Sequence, residues 1–197
     1  MRELSKKEML EYFEVINQKL AKNGKHGEIV LAGGASLAMV FDARDSTRDI
    51  DAIFQPSEEM RQIVKDMADE YDLPDDWLND GVKGYISEKM NQKKYISLSN
   101  LDVYSIDAEG LLAMKLTSAR VDTKDMEDSI FLMKLLNIRE EKVLFAIIDK
   151  YTHPNQRTIA SKYFTQEAFE KHINGLNPRE QTTERENAQI PDDDIIP

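Results

Sequence analysis

Leu31–Phe54, LAGGASLAMVFDARDSTRDIDAIF, decides the fold class of this chain. A glycine pair, Gly33-Gly34, opens a short helical stretch, and fifteen residues after Gly34 comes Asp49-Ile50-Asp51 in a run that reads as a strand. A Gly-rich turn lets backbone amides approach a phosphate closely. Two carboxylates one residue apart on a strand face the same way and repel. A hard divalent cation with oxygen ligands is the common reason for such a pair. Phosphate cradle and cation-binding carboxylates together point to nucleotide chemistry. The bland readings are a tight strand-to-helix turn for the glycines, and a solvated strand with salt bridges to Arg44 or Arg48 for the aspartates.

Upstream, Leu4, Met9, Tyr12, Phe13, Ile16 and Leu20 recur at helical spacing. Ser5 and Glu8 form a capping-box pattern, and Gly24 stops the helix. Glu28–Ala32 is a short apolar strand, Ala35–Phe41 a short helix, Asp49–Phe54 a strand, and Glu58–Tyr71 a helix. In the second strand Ile50, Ala52 and Phe54 turn to the core and leave both aspartates on the opposite face. Leu73–Gly84 reads as a loop with one helical turn over 75–78, in which Trp77 serves as an anchor under the sheet rather than a base-stacking group. Tyr85–Ile86, Tyr95–Leu98 and Leu101–Ile106 are rich in strand formers. From Asp107, a natural N-cap, the pattern turns helical: one helix through Arg120, a second over 124–136, a third over 140–151, and one or two more over 157–173. The predicted fold is α/β (α+β): a small mixed β-sheet core flanked by helices over residues 1–106, an α-helical C-terminal part over 107–175 packed on it, and a polar, acidic, disordered tail over 176–197.

Several side chains carry candidate chemistry. Asp49 and Asp51 are the metal ligands and the groups that activate an attacking hydroxyl. Gly33, Gly34 and Ser36 face the phosphates at a helix start. Lys115 lies on an apolar helix stripe, LLAMKLTSA, where a cation must meet an anion or reach out to solvent. Asp128 behaves similarly ahead of Phe131, Leu132 and Leu135. The alternative for this pair is an ion pair, Lys115 with Asp125 or Asp128, joining two helices. Asp102, and less directly Asp80, are the positional candidates for a third metal carboxylate. His26, His153 and His172 show no ligand spacing.

At Gly33–Phe54 the chain resembles the DNA polymerase β-like nucleotidyltransferases, whose signature is a Gly-Gly/Ser turn at a helix start followed by Asp-x-Asp on the next strand. Arg44, Thr47, Asp49 and Asp51 match the R-x-x-T-x-D-I-D form of the small bacterial members. A second segment, Leu111–Leu136, is similar to the AbiEii-type abortive-infection toxins, where a helix with K-L-x-A is followed by Arg and then D-x-x-D. The matching positions are Lys115, Arg120, Asp125 and Asp128; here the alanine falls one place later and the spacing from lysine to the final aspartate is shorter. LPDDWLND is similar to a further branch of bacterial nucleotidyltransferases. The resemblance implies transfer of NMP from an NTP, with Mg²⁺ or Mn²⁺ on Asp49, Asp51 and Asp102, to a hydroxyl of RNA, protein or a small molecule. In it Lys115 and Asp128 join Asp49 and Asp51 as catalytic residues, and Arg44, Thr47, Arg120 and Asp125 contact the nucleotide. It further implies a toxin–antitoxin or phage-defence setting with a cognate antitoxin or partner protein. The rivals are an antibiotic-modifying transferase acting on a small polyol, and a non-catalytic regulator of the same fold that binds nucleotide or a partner.

Composition narrows the field. The 197 residues are 41% hydrophobic, enough for a packed core. Zero cysteines exclude disulfides and zinc–thiolate sites. A net charge of −11 disfavours a long nucleic-acid footprint, although Gln92-Lys93-Lys94 is locally basic. MRELSKKEML lacks a secretory leader and no apolar run approaches a membrane span, which points to a cytoplasmic protein.

Overall fold

A computed structural model describes residues 3–118 and 124–176. Arg120 and the tail from residue 177 lie outside the described residues. The chain begins β1 (Leu4–Ser5), α1 (Lys6–Lys22), β2 (Gly27–Leu31), α2 (Gly33–Met39), β3 (Ser46–Thr47), β4 (Ile50–Gln55), α3 (Ser57–Tyr71) and β5 (Leu78–Asn79). A 3-10 turn at Gly81–Gly84, β6 (Gln92–Ser97) and β7 (Leu101–Ile106) follow. Four helices close the described chain: α4 (Ala108–Ser118), α5 (Asp125–Leu135), α6 (Glu141–Tyr151) and α7 (Ile159–Asn174). The sequence-derived fold class holds: a mixed sheet flanked by helices, with a helical C-terminal part.

The main sheet has the order β5-β4-β2-β7-β6. β2 runs antiparallel to β4 and parallel to β7; β4 and β5 are parallel, β6 and β7 antiparallel. One face carries Ile29, Leu31, Ile50, Ala52, Phe54, Leu101 and Val103 into a core shared with α1 and α3. A second apolar cluster joins Ala32, Leu37 and Ile106 to α4, α5, α6 and α7. Trp77 is fully buried in the first core, its indole N–H donating to Val64 O at 3.1 Å and its ring edge-on to Tyr12. It is the anchor its loop required.

Local signals account for most boundaries. The Ser5–Glu8 capping box forms and starts α1. Asp107 Oδ1 accepts from the Gly110 amide at 2.8 Å and starts α4. The strand expected at Tyr85–Ile86 does not form. Gly81 and Gly84 bound a 3-10 turn instead, and the Tyr85 and Ile86 amides both donate to Val82 O, at 2.9 and 3.2 Å. The sheet edge beside β4 is taken by Leu78–Asn79, inside the segment read as a loop.

The N-terminal segment clasps the stretch between α2 and β4. β1 pairs with β3, Leu4 opposite Thr47. Lys6 Nζ meets Asp42 Oδ1 at 2.5 Å, Glu3 accepts from the Ser46 hydroxyl, and Lys124 Nζ lies 3.6 Å from Glu3.

His172 of α7 is buried, with Nε2 2.8 Å from Ile138 O. A carbonyl only accepts, so Nε2 carries the proton, and the buried Nδ1 has no hydrogen-bond partner among the described residues. Burial pushes its pKa below the usual histidine value; nearby Arg139 and Lys134 push the same way and the Ile138 carbonyl opposes them. The folded state therefore favours neutral His172. That contribution is complete above the unfolded value of about 6.5 and is lost as pH falls through it toward the folded pKa. Melting temperature should drop on acidification below pH 6.5, and part of the drop should vanish in His172→Gln, whose amide N–H can still reach Ile138 O. Thermal melts of both proteins between pH 7.5 and 5 check this.

Candidate functional site

Sheet direction brings the two informative segments together. β2 and β7 are parallel, so the helices that follow them, α2 and α4, begin at the same end of the sheet. β4 is antiparallel to β2 and starts at that end, with Asp51 as its second residue and Asp51 O accepting from Ala32 N at 2.9 Å. Residues more than sixty apart in sequence thereby share one pocket, lined by Gly33, Asp51, Val82, Tyr85, Leu111, Met114, Lys115, Ser118 and Asp125. Leu111, Met114, Lys115 and Ser118 stand at i, i+3, i+4 and i+7 on α4, a single stripe that turns from apolar to polar.

Each glycine of the pair has its own steric reason. Gly33 has φ +52°, the left-handed region, and a Cβ there would lie 2.8 Å from Asp51 Oδ2. Asp51 thus folds over the strand-to-helix turn. A Cβ on Gly34 would collide with the Arg44 guanidinium and with Thr47 Oγ1. Gly33 opens to the pocket, whereas Gly34 is covered by Arg44 and the buried Thr47. Ser36 departs from its expected role at the phosphates: it is fully buried, and its Oγ accepts from Ser105 Oγ at 3.1 Å.

The second segment supplies a buried charge cluster. Lys115 Nζ lies 2.5 Å from Asp125 Oδ1 and 2.9 Å from Asp128 Oδ2. Ser118 Oγ donates to Asp125 Oδ2 at 2.7 Å, and Arg44 Nη1 stands 3.7 Å from Asp128 Oδ2. Asp125 and Asp128 are only 4% and 5% exposed. Asp128 Oδ2 is paired in charge with two cations, and among the described residues it accepts no hydrogen bond. The ion pair weighed for Lys115 is present and joins α4 to α5, and two of its members, Lys115 and Asp125, also line the pocket.

Not every candidate converges. Asp49, one residue before β4, is turned toward β5, where Asn79 Nδ2 is 3.5 Å from its Oδ2. Asp102 shares the sheet face of Asp51 but pairs with Glu28, four residues down β2 from Ala32, roughly 13 Å along the strand. Its carboxylate is engaged by Ser97 Oγ at 2.6 Å and Lys94 Nζ at 2.9 Å, with His26 at 3.4 Å, and these partners hold its pKa down at about 2. A third metal carboxylate at Asp102 is therefore corrected by geometry: at the register of Asp51 the β7 residue is Ile106. Asp80 is likewise taken, by Arg61 and Lys83. Among the described residues no three acidic or histidine side chains gather as a metal-holding group. Sequence reasoning missed Val82 and Tyr85, because their segment carries no periodic pattern. It assigned Leu111 and Met114 to core, which is half their role.

The family model for nucleotidyltransferases of unknown function (DUF6036) matches residues 7–174. The chain belongs to this family. The match to this nucleotidyltransferase family spans both segments that line the pocket, and it ends at the last residue of α7. No curated protein and no solved structure matches the chain.

The charge cluster carries its own prediction. Lys115→Met removes the cation shared by two buried carboxylates and should cost about 3–5 kcal/mol. Adding Asp128→Asn should return part of that loss. Urea unfolding of the two singles and the double gives the coupling; additive effects would mean the cluster is not interacting.

Proposed function

We propose that this family member transfers NMP from an NTP to a hydroxyl acceptor with the polymerase β-like chemistry that its two segments resemble. The observation that supports the reading is the shared pocket: Gly33 and Asp51 from one segment, Lys115, Ser118 and Asp125 from the other. Asp51 and Asp125 line that pocket with Lys115, and Asp128 lies between Lys115 and Arg44. That donor set of hard oxygens, with an excess of negative charge, fits Mg²⁺ or Mn²⁺ arriving with a triphosphate, since Mg²⁺ is commonly held by one or two carboxylates plus substrate phosphates. Asp51, which lines the pocket, would hold it, and Asp49 would join it by releasing Asn79. When bound, the cation neutralises phosphate charge and lowers the pKa of the attacking hydroxyl.

The chain's own groups do the rest. The acceptor oxygen bonds to the α-phosphorus, the bond to pyrophosphate breaks, and the acceptor's proton passes to a site carboxylate. Lys115 is preorganised by two aspartates, so it meets charge developing on the phosphates without reorganising. Arg44, whose Nε donates to Gly34 O at 3.4 Å, adds a second cation, and Thr47 lies against the same turn. The acceptor class among RNA, protein and small polyol stays open in this reading, and a toxin–antitoxin or phage-defence role with a cognate partner rests on the resemblance alone. The displacement of Asp102 favours one rival: a regulator of the same fold that binds nucleotide without turnover.

Asp51→Asn should abolish Mg²⁺-dependent NTP binding and NMP transfer while keeping the fold. Lys115→Ala should lower transfer by about 10²-fold, the scale of losing one preorganised electrostatic group. Thermal shift with each NTP and Mg²⁺, then labelled-NMP transfer to total RNA and to protein extracts, tests both. NTP binding that depends on Asp51 without any transfer selects the regulator.

A further inference from the structure

The pocket has two chemically different walls. The reaction proposed above uses only the charged one, built on Gly33, Asp51, Lys115 and Asp125. The other is made of Val82, Tyr85, Leu111 and Met114 and is apolar apart from the Tyr85 hydroxyl. Val82, Leu111 and Met114 are 7%, 0% and 9% exposed, a fixed floor. Tyr85 is different. It is 43% exposed, one of few large apolar side chains among the described residues left so open, and its hydroxyl makes no hydrogen bond among them. Its backbone is nonetheless well held. The Tyr85 amide donates to Val82 O, and Gly84 O accepts from Gln156 Nε2 at 3.0 Å, which ties the 3-10 turn to the segment before α7. A ring on an anchored backbone, standing open at the edge of an apolar floor, is a stacking platform without its partner.

We propose that this wall seats the nucleobase of the NTP, with Tyr85 stacked on the base, and that the site prefers purine over pyrimidine nucleotides. The inference rests on the nucleotidyltransferase reading and adds the residues and the base class to it. A nucleoside triphosphate needs an apolar seat for a flat ring beside a charged seat for phosphates, and the two walls of one pocket supply that pair. Val82 and Leu111 carry no donor or acceptor side chain and Met114 only a weak thioether acceptor, so the base edge is not read by a hydrogen-bond pattern. Discrimination then follows stacking overlap, which is larger for two fused rings than for one.

The test uses the full chain with Mg²⁺ and measures dissociation constants for ATP, GTP, CTP, UTP and inorganic tripolyphosphate. ATP and GTP should bind alike and about fivefold more tightly than CTP and UTP. Tyr85→Ala should weaken ATP and GTP about tenfold and erase the purine preference, while tripolyphosphate binding is unchanged. Tyr85→Phe should keep the parent's behaviour, because stacking needs the ring and not the hydroxyl. Unchanged ATP affinity in Tyr85→Ala, an equal loss for tripolyphosphate, or tighter binding of pyrimidines would overturn this assignment and leave the transferase reading standing. Failure of the parent to bind any NTP would overturn both.

Discussion

The structure depends on a requirement that two buried carboxylates be neutralised. Asp125 and Asp128 open α5 at the place where it docks on α4. Removing ionised carboxylates from water is costly unless cations and hydrogen bonds replace the solvent. Lys115 supplies the cation from within the helical part, Ser118 a hydrogen bond, and Arg44 reaches across from the sheet side. Arg44 can reach only because residue 34 has no side chain to obstruct it. Glycine, arginine, aspartate and lysine thus form one dependency that ties the strand-to-helix turn to the C-terminal helices. The same groups edge the pocket, so integrity of the fold and readiness of the pocket are coupled through shared side chains.

Topology makes that dependency affordable in geometry. Two parallel strands deliver two helix starts to one end of the sheet, and an antiparallel strand between β2 and the edge returns Asp51 to the same end. No long excursion of the chain is needed to gather the groups. The two apolar clusters then divide the labour: the first holds the sheet to α1 and α3, the second holds the helical part to the sheet end where the pocket lies.

Much of this was legible in the sequence. The capping box at Ser5, the N-cap at Asp107, the burial alternation of Ile50, Ala52 and Phe54, and the single lysine on the apolar stripe of α4 are local patterns with local causes. What escaped has non-local causes. Asp102 carries the right chemistry on the right strand and face, but its register against β2 moves it down the sheet, and register is a property of pairing. Ser36 follows a glycine pair at a helix start, yet the depth of α2 beneath the sheet end turns its hydroxyl to Ser105. Tyr85 has strand propensity, but an edge already taken by β5 leaves it no strand to join, and propensity yields to context.

The clasp at the N-terminal end bears on the order in which the molecule can be made. Glu3 is joined to Ser46, 43 residues downstream, and lies beside Lys124, which heads the helix carrying Asp125 and Asp128. During vectorial synthesis the first of these partners emerges well before the second. The early segment can settle against β3 while the helical part is still unmade, and its last contact waits for α5. Closure of the pocket and completion of the clasp therefore fall at the same stage of synthesis, after residue 124 has left the ribosome, so a nascent chain halted before that point would present the glycine turn and Asp51 without Lys115's two aspartates.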